Sequence, residues 1–150
     1  MKKYILLFAF ALLAFVKPAC AQQQDSVFTG AIAKLKHYNA LYILNSADEK
    51  KISGTLRNIN NALEDPRLKG KLYIQLVAFG DGVAVYMKSG PFEQKLKALQ
   101  AKGVLLTECS NTVRERNIDK NDLFPFIFYV PSGNGEIILR QYEGWATVHP

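Results

Sequence analysis

The chain has 150 residues, 49% of them hydrophobic, and a formal net charge of +6. That length supports one hydrophobic core and one domain. Lys2, Lys3 and Lys17 lie in an N-terminal segment without an acid; beyond it the balance is 16 basic to 13 acidic residues, or +3. A charge of that size is too weak to indicate nucleic acid or a membrane surface as a partner.

The N-terminal segment has the form of a cleavable export signal. Lys2 and Lys3 precede 13 uninterrupted apolar or aromatic residues, 4–16. That run fits a signal core and falls short of the roughly 20 residues a membrane span needs. Lys17 and Pro18 end it, and Ala19-Cys20-Ala21 supplies small residues at a cleavage site. The expected organisation is a signal over residues 1–21, a polar N-terminal arm over 22–36 and an α/β domain over 37–150. The mature chain would be periplasmic or extracellular, with no membrane span. Lys17 and Pro18 argue against a lipid on Cys20, since residues before a lipidated cysteine are normally small and apolar.

Cleavage leaves Cys109 as the single cysteine. An internal disulfide is then excluded, although the compartment permits disulfides. Cys109 is an inert buried thiol, half of an intermolecular link, or a reactive group.

The elements follow in order. Residues 38–44 are a short apolar run and read as a strand. Ser46-Ala47-Asp48-Glu49 opens a helix with a capping hydroxyl and early acids, and Ile52, Leu56, Ile59 and Leu63 recur at helical spacing up to Asp65-Pro66. Residues 72–79 are the second strand, and Gly80-Asp81-Gly82 is a tight turn. Residues 83–87 fit a short helix better than an edge strand. Phe92, Leu96 and Leu99 mark a helix closed by Lys102-Gly103. A strand over 104–107, a short helix over 112–116, a helical turn over 119–123 and a strand over 126–130 come next. A helix over 135–142 and a strand over 145–148 complete the chain. Strands alternate with helices, and the strands are continuous apolar runs, as in parallel sheets buried on both faces. The fold expected is an α/β three-layer sandwich with about five mostly parallel strands.

In such folds ligands sit outside the carboxyl ends of the strands. Four loops fall there: Asn45-Ser46, Gly80-Asp81-Gly82, Cys109-Ser110-Asn111-Thr112 and Pro131-Ser132-Gly133. The candidate site is therefore Cys109, with Asn45, Gly80, Gly82, Asn111, Thr112, Ser132 and Gly133 around it. A helix start beyond Cys109 favours its thiolate, as would Arg114 and Arg116, whereas a charged Glu108 would oppose it. Ser132-Gly133-Asn134-Gly135 lacks the spacing of a P-loop or a dinucleotide site, so no cofactor is expected. His37 and His149 stand at opposite ends of the mature chain without ligand spacing, so no metal site and no Cys-His pair is expected. A lone cysteine also excludes a self-contained dithiol oxidoreductase, which needs a resolving partner.

Residues 42–150 resemble the DsrE/DsrF-like family. The matching pieces, in order, are Leu56-Arg57-Asn58, the Val77-Ala78-Phe79-Gly80-Asp81-Gly82-Val83 stretch, LQAKGV at 99–104, Cys109-Ser110-Asn111-Thr112, Val130-Pro131-Ser132-Gly133 and Gln141-Tyr142-Glu143-Gly144-Trp145. The resemblance implies a flavodoxin-like fold, assembly into trimers or hexamers and a link to sulfur metabolism. It implies that Cys109 carries sulfur as a persulfide between a donor and an acceptor protein, with Asn111 and Thr112 shaping its loop. The alternative is a non-catalytic oligomeric binding or assembly module with an inert Cys109.

Overall fold

The computed structural model describes residues 28–150; the expected signal and its cleavage site lie outside the described residues. Residues 28–37 carry no helix or strand. Ile32–Pro150 forms one compact unit. No helix among the described residues is long and apolar enough to cross a membrane.

Five strands form one sheet: β1 (Tyr38–Leu44), β2 (Leu72–Ala78), β3 (Leu105–Cys109), β4 (Phe128–Val130) and β5 (Ala146–Val148). Their order is β4-β3-β2-β1-β5, and every pairing is parallel. The register runs from Tyr38 opposite Leu72 to Leu44 opposite Ala78, and from Thr107 opposite Phe128 to Cys109 opposite Val130. The helices are α1 (Glu49–Glu64), α2 (Glu93–Ala101), α3 (Ser110–Glu115) and α4 (Gly133–Tyr142).

The pleat sends alternate residues to opposite faces of the sheet. Ala40, Tyr42 and Leu44 face the larger core with Ile52, Leu56 and Ile59 of α1, Leu96 and Leu99 of α2, and Val113 of α3. Leu41 faces the other way, into a smaller cluster with Val77 and Val130, against which Ile137 of α4 and Trp145 pack. The domain is the expected α/β three-layer sandwich, but its two outer layers are unequal.

The local signals acted with some shifts. The cap of α1 is the Asp48 carboxylate, which accepts from the Lys51 amide at 2.8 Å; Ser46 instead accepts from the Asp48 amide. Residues 80–82 are not a free-standing turn. They begin a 3-10 helix, Gly80–Tyr86, that takes in most of the expected short helix. The third strand runs two residues further than its apolar run suggested, because Glu108 and Cys109 pair with β4 as strand residues. The fourth strand is shorter, and α4 starts at Gly133, where Ser132 caps it by accepting from the Gly135 amide at 3.2 Å.

Gly82 fixes how tightly the 3-10 helix sits on β1. A Cβ there would run into the Leu44 carbonyl and reach within 3.1 Å of the Asn45 Cα, both rigid backbone atoms. Gly82→Ala is expected to destabilise the fold by about 2–3 kcal/mol, the upper range for overpacking. Urea unfolding checks this; an unchanged midpoint would show that the contact yields without cost.

Candidate functional site

Connections that leave neighbouring parallel strands towards opposite faces open a crevice at the strands' carboxyl ends. Strands β3 and β4 are such a pair. The chain after β3 enters α3 on the side of the larger core, and the chain after β4 enters α4 on the other side. A crevice of about 260 Å³ lies there, lined by Phe79, Gly80, Cys109, Asn111, Thr112, Glu115, Ser132, Gly133 and Asn134.

Six of the eight expected site residues come together in it: Gly80, Cys109, Asn111, Thr112, Ser132 and Gly133. Asn45 and Gly82 do not line it. Asn45 follows β1, two strands from β3, and is exposed with its Oδ1 3.3 Å from His149 Nε2. Gly82 is enclosed against the end of β1. Phe79, Glu115 and Asn134 were not among the candidates. Phe79 and Asn134 had a signal in being next to the loop glycines, whereas Glu115 reaches the crevice only because α3 turns it there.

Cys109 is the last residue of β3 and the N-cap of α3. It is 5% exposed. Burial pushes the thiol's pKa up, but hydrogen bonding from the backbone amides of Thr112, Gly133 and Asn111 and from the Thr112 hydroxyl outweighs it, and the net shift is below the ordinary value. The donors come from both sides of the crevice, Gly133 being the first residue of α4. The Thr112 hydroxyl is free to donate because its oxygen already accepts from the Gly80 amide at 2.8 Å. Gly80 sits at φ +56°, a conformation glycine adopts without strain, and this turns its amide towards Thr112. Gly133 is required by space: a Cβ would lie 2.8 Å from the Phe79 ring.

The arginines do not act on the sulfur as expected. Arg116 Nη2 pairs with Asp81 Oδ1 at 2.7 Å, and Arg114 lies 3.6 Å from Glu115. Both pairs are exposed and worth little. The expected opposition from Glu108 also fails. Its side chain points to the opposite face from Cys109, is 0% exposed, and neither carboxyl oxygen has a hydrogen-bond partner within bonding geometry. Desolvation raises its pKa to about 9, so it is uncharged at neutral pH and no anion faces the thiolate from the next residue.

A doubly wound parallel domain with one acidified thiol at a strand-end crevice is the class that fold and site define. The chain belongs to the DsrE/DsrF-like family, whose model matches residues 26–150. No curated protein matches it. Among solved structures it is similar to a protein of unknown function, MTH1491, from Methanobacterium thermoautotrophicum, at 31% identity, TM-score 0.70, covering 75% of this chain and 99% of that one. The ychN protein from E. coli is 15% identical with TM-score 0.57, covering 77% of this chain and 100% of that one. A conserved protein of unknown function, BT1422, from Bacteroides thetaiotaomicron is 10% identical with TM-score 0.61, covering 81% and 100%. These last two share the fold.

Glu108 makes a pH prediction of definite sign. Its folded pKa, about 9, lies above the unfolded value near 4.3. The folded state therefore holds the proton more tightly, and its contribution to stability is complete below about pH 4 and lost as pH rises towards 9, at roughly 1 kcal/mol per pH unit. Chemical denaturation at several pH values should show wild type losing ground to Glu108→Gln throughout that window. A constant difference between the two would contradict a buried, protonated Glu108.

Proposed function

We propose that this protein handles sulfur, with Cys109 as a persulfide carrier. The observation that carries the reading is the convergence of Thr112, Gly133 and Asn111 on a thiol that burial alone would leave protonated. The thiolate is the attacking form in exchange at sulfur. It attacks the terminal sulfur of a polysulfide; a Cys109 S–S bond forms, the donor's S–S bond breaks, and the shortened polysulfide leaves with the electron pair. An acceptor thiolate then attacks the outer sulfur and Cys109 departs as thiolate. No external oxidant or reductant is needed. Family membership supports the sulfur link; the donor is a polysulfide or a protein persulfide, the acceptor is a protein or small thiol, and each presents its reacting sulfur to a 260 Å³ crevice.

The burial of Cys109 favours a second reading, a binding or assembly module in which the thiol is inert. Mass spectrometry after polysulfide treatment separates the two. The carrier gains sulfur on Cys109, loses it to added thiol, and gains none as Cys109→Ser. Wild-type protein that stays unmodified while a free cysteine peptide is persulfidated would leave the module reading.

Two further parts of the proposal rest on other residues. Export rests on the segment from Lys2 to Ala21. Self-association as a trimer or hexamer is supported by the outer side of α4, where Ile138, Leu139 and Tyr142 are exposed. Leu139→Glu is expected to reduce the oligomer to monomer in sedimentation velocity; a wild-type monomer at micromolar concentration would contradict it.

A further inference from the structure

Helix α4 has little apolar surface to hold it. The cluster beneath it consists of Leu41, Val77 and Val130, with Ile43, Ile137 and Trp145 partly buried around them. A polar network fills the space beside that cluster. Gln75, in the middle of β2, is 0% exposed. Its Nε2 donates to Thr107 Oγ1 at 3.2 Å and to Glu136 Oε1 at 3.0 Å. Arg140 Nε donates to Gln75 Oε1 and to Glu136 Oε1, both at 2.9 Å, and the guanidinium lies 4.3 Å over the Trp145 ring. Thr107 donates in turn to the Leu76 carbonyl at 3.0 Å. Both Nε2 hydrogens and the Oε1 of Gln75 are thus engaged, and the amide ties two successive turns of α4 to the sheet.

The geometry matters for the site because Glu136 lies one turn beyond Gly133, the α4 residue whose amide reaches towards the Cys109 sulfur. Thr107 stands two residues before Cys109 and faces the same side of β3. We propose that Gln75 is a positioning residue: through Glu136 and Arg140 it seats the first turn of α4, and so keeps the Gly133 amide on the Cys109 sulfur. Gln75 lines no part of the crevice and touches neither donor nor acceptor. The inference rests on the carrier reading for its biological meaning, but its test needs no sulfur transfer.

The test is the pH dependence of Cys109 alkylation in the full chain, with folding checked by circular dichroism. Gln75→Met keeps the length and removes both polar ends. It is expected to raise the thiol pKa by about one unit, about a tenfold loss of thiolate at pH values well below the midpoint. Glu136→Ala releases the same clamp from the helix side and serves where a buried substitution fails to fold. Removing an anion would by charge alone lower the thiol pKa, so a rise in Glu136→Ala reports displacement of the helix. Glu136→Gln keeps a carbonyl acceptor at the same place and should stay close to wild type. Folded Gln75→Met or Glu136→Ala protein that titrates like wild type overturns the clamp. A wild-type thiol that titrates at the ordinary value overturns the carrier reading instead, so the two failures are distinguishable.

Discussion

The site depends on one topological constraint: neighbouring parallel strands, β3 and β4, send their helices to opposite faces of the sheet. Between strands whose connections leave on the same side, the following helices close over the strand ends. Between β3 and β4 nothing closes. The ends of two helices are left facing each other across Cys109, and the amides that open α3 and α4 favour its thiolate. A thiol in that position is buried without being in an apolar setting. This separates it from the usual buried cysteine, whose pKa is raised by its surroundings.

Glu108 and Glu115 show how the fold, and not sequence order, decides which carboxyl group meets the crevice. Glu108 is adjacent in sequence, yet the pleat turns it into the larger core, where desolvation keeps it neutral. Glu115 is remote from Cys109 in the chain's local pairing but reaches the crevice rim, where it is exposed beside Arg114. Proximity in sequence therefore misstates the field at the thiol. The donors that matter are backbone amides and one hydroxyl, fixed by a glycine at positive φ and a glycine under an aromatic ring.

The fold was largely legible because parallel strands buried on both faces are continuous apolar runs, and five such runs separated by helical periodicity leave few arrangements. The strand order was not legible. That is why Asn45 was grouped with Cys109: all four loops do lie at the carboxyl edge, but β1 stands two places from β3. The end of β3 was also misplaced, since Glu108 and Cys109 look like loop chemistry until their pairing with Tyr129 and Val130 is known. Gln75 gave no signal beyond a polar residue inside an apolar strand. Its partners, Glu136 and Arg140, come from a helix more than sixty residues away.

On this account, hydrogen-bond donors gathered from α3 and α4 overcome burial and bring the pKa of the Cys109 thiol below its ordinary value. The most direct test is the rate of alkylation of the wild-type thiol as a function of pH, set against unfolded chain in denaturant. The account predicts a midpoint clearly below the ordinary value of about 8.5 in the folded protein and at that value in the unfolded chain. A folded midpoint at or above 8.5 would mean that burial wins and that Cys109 is a core residue.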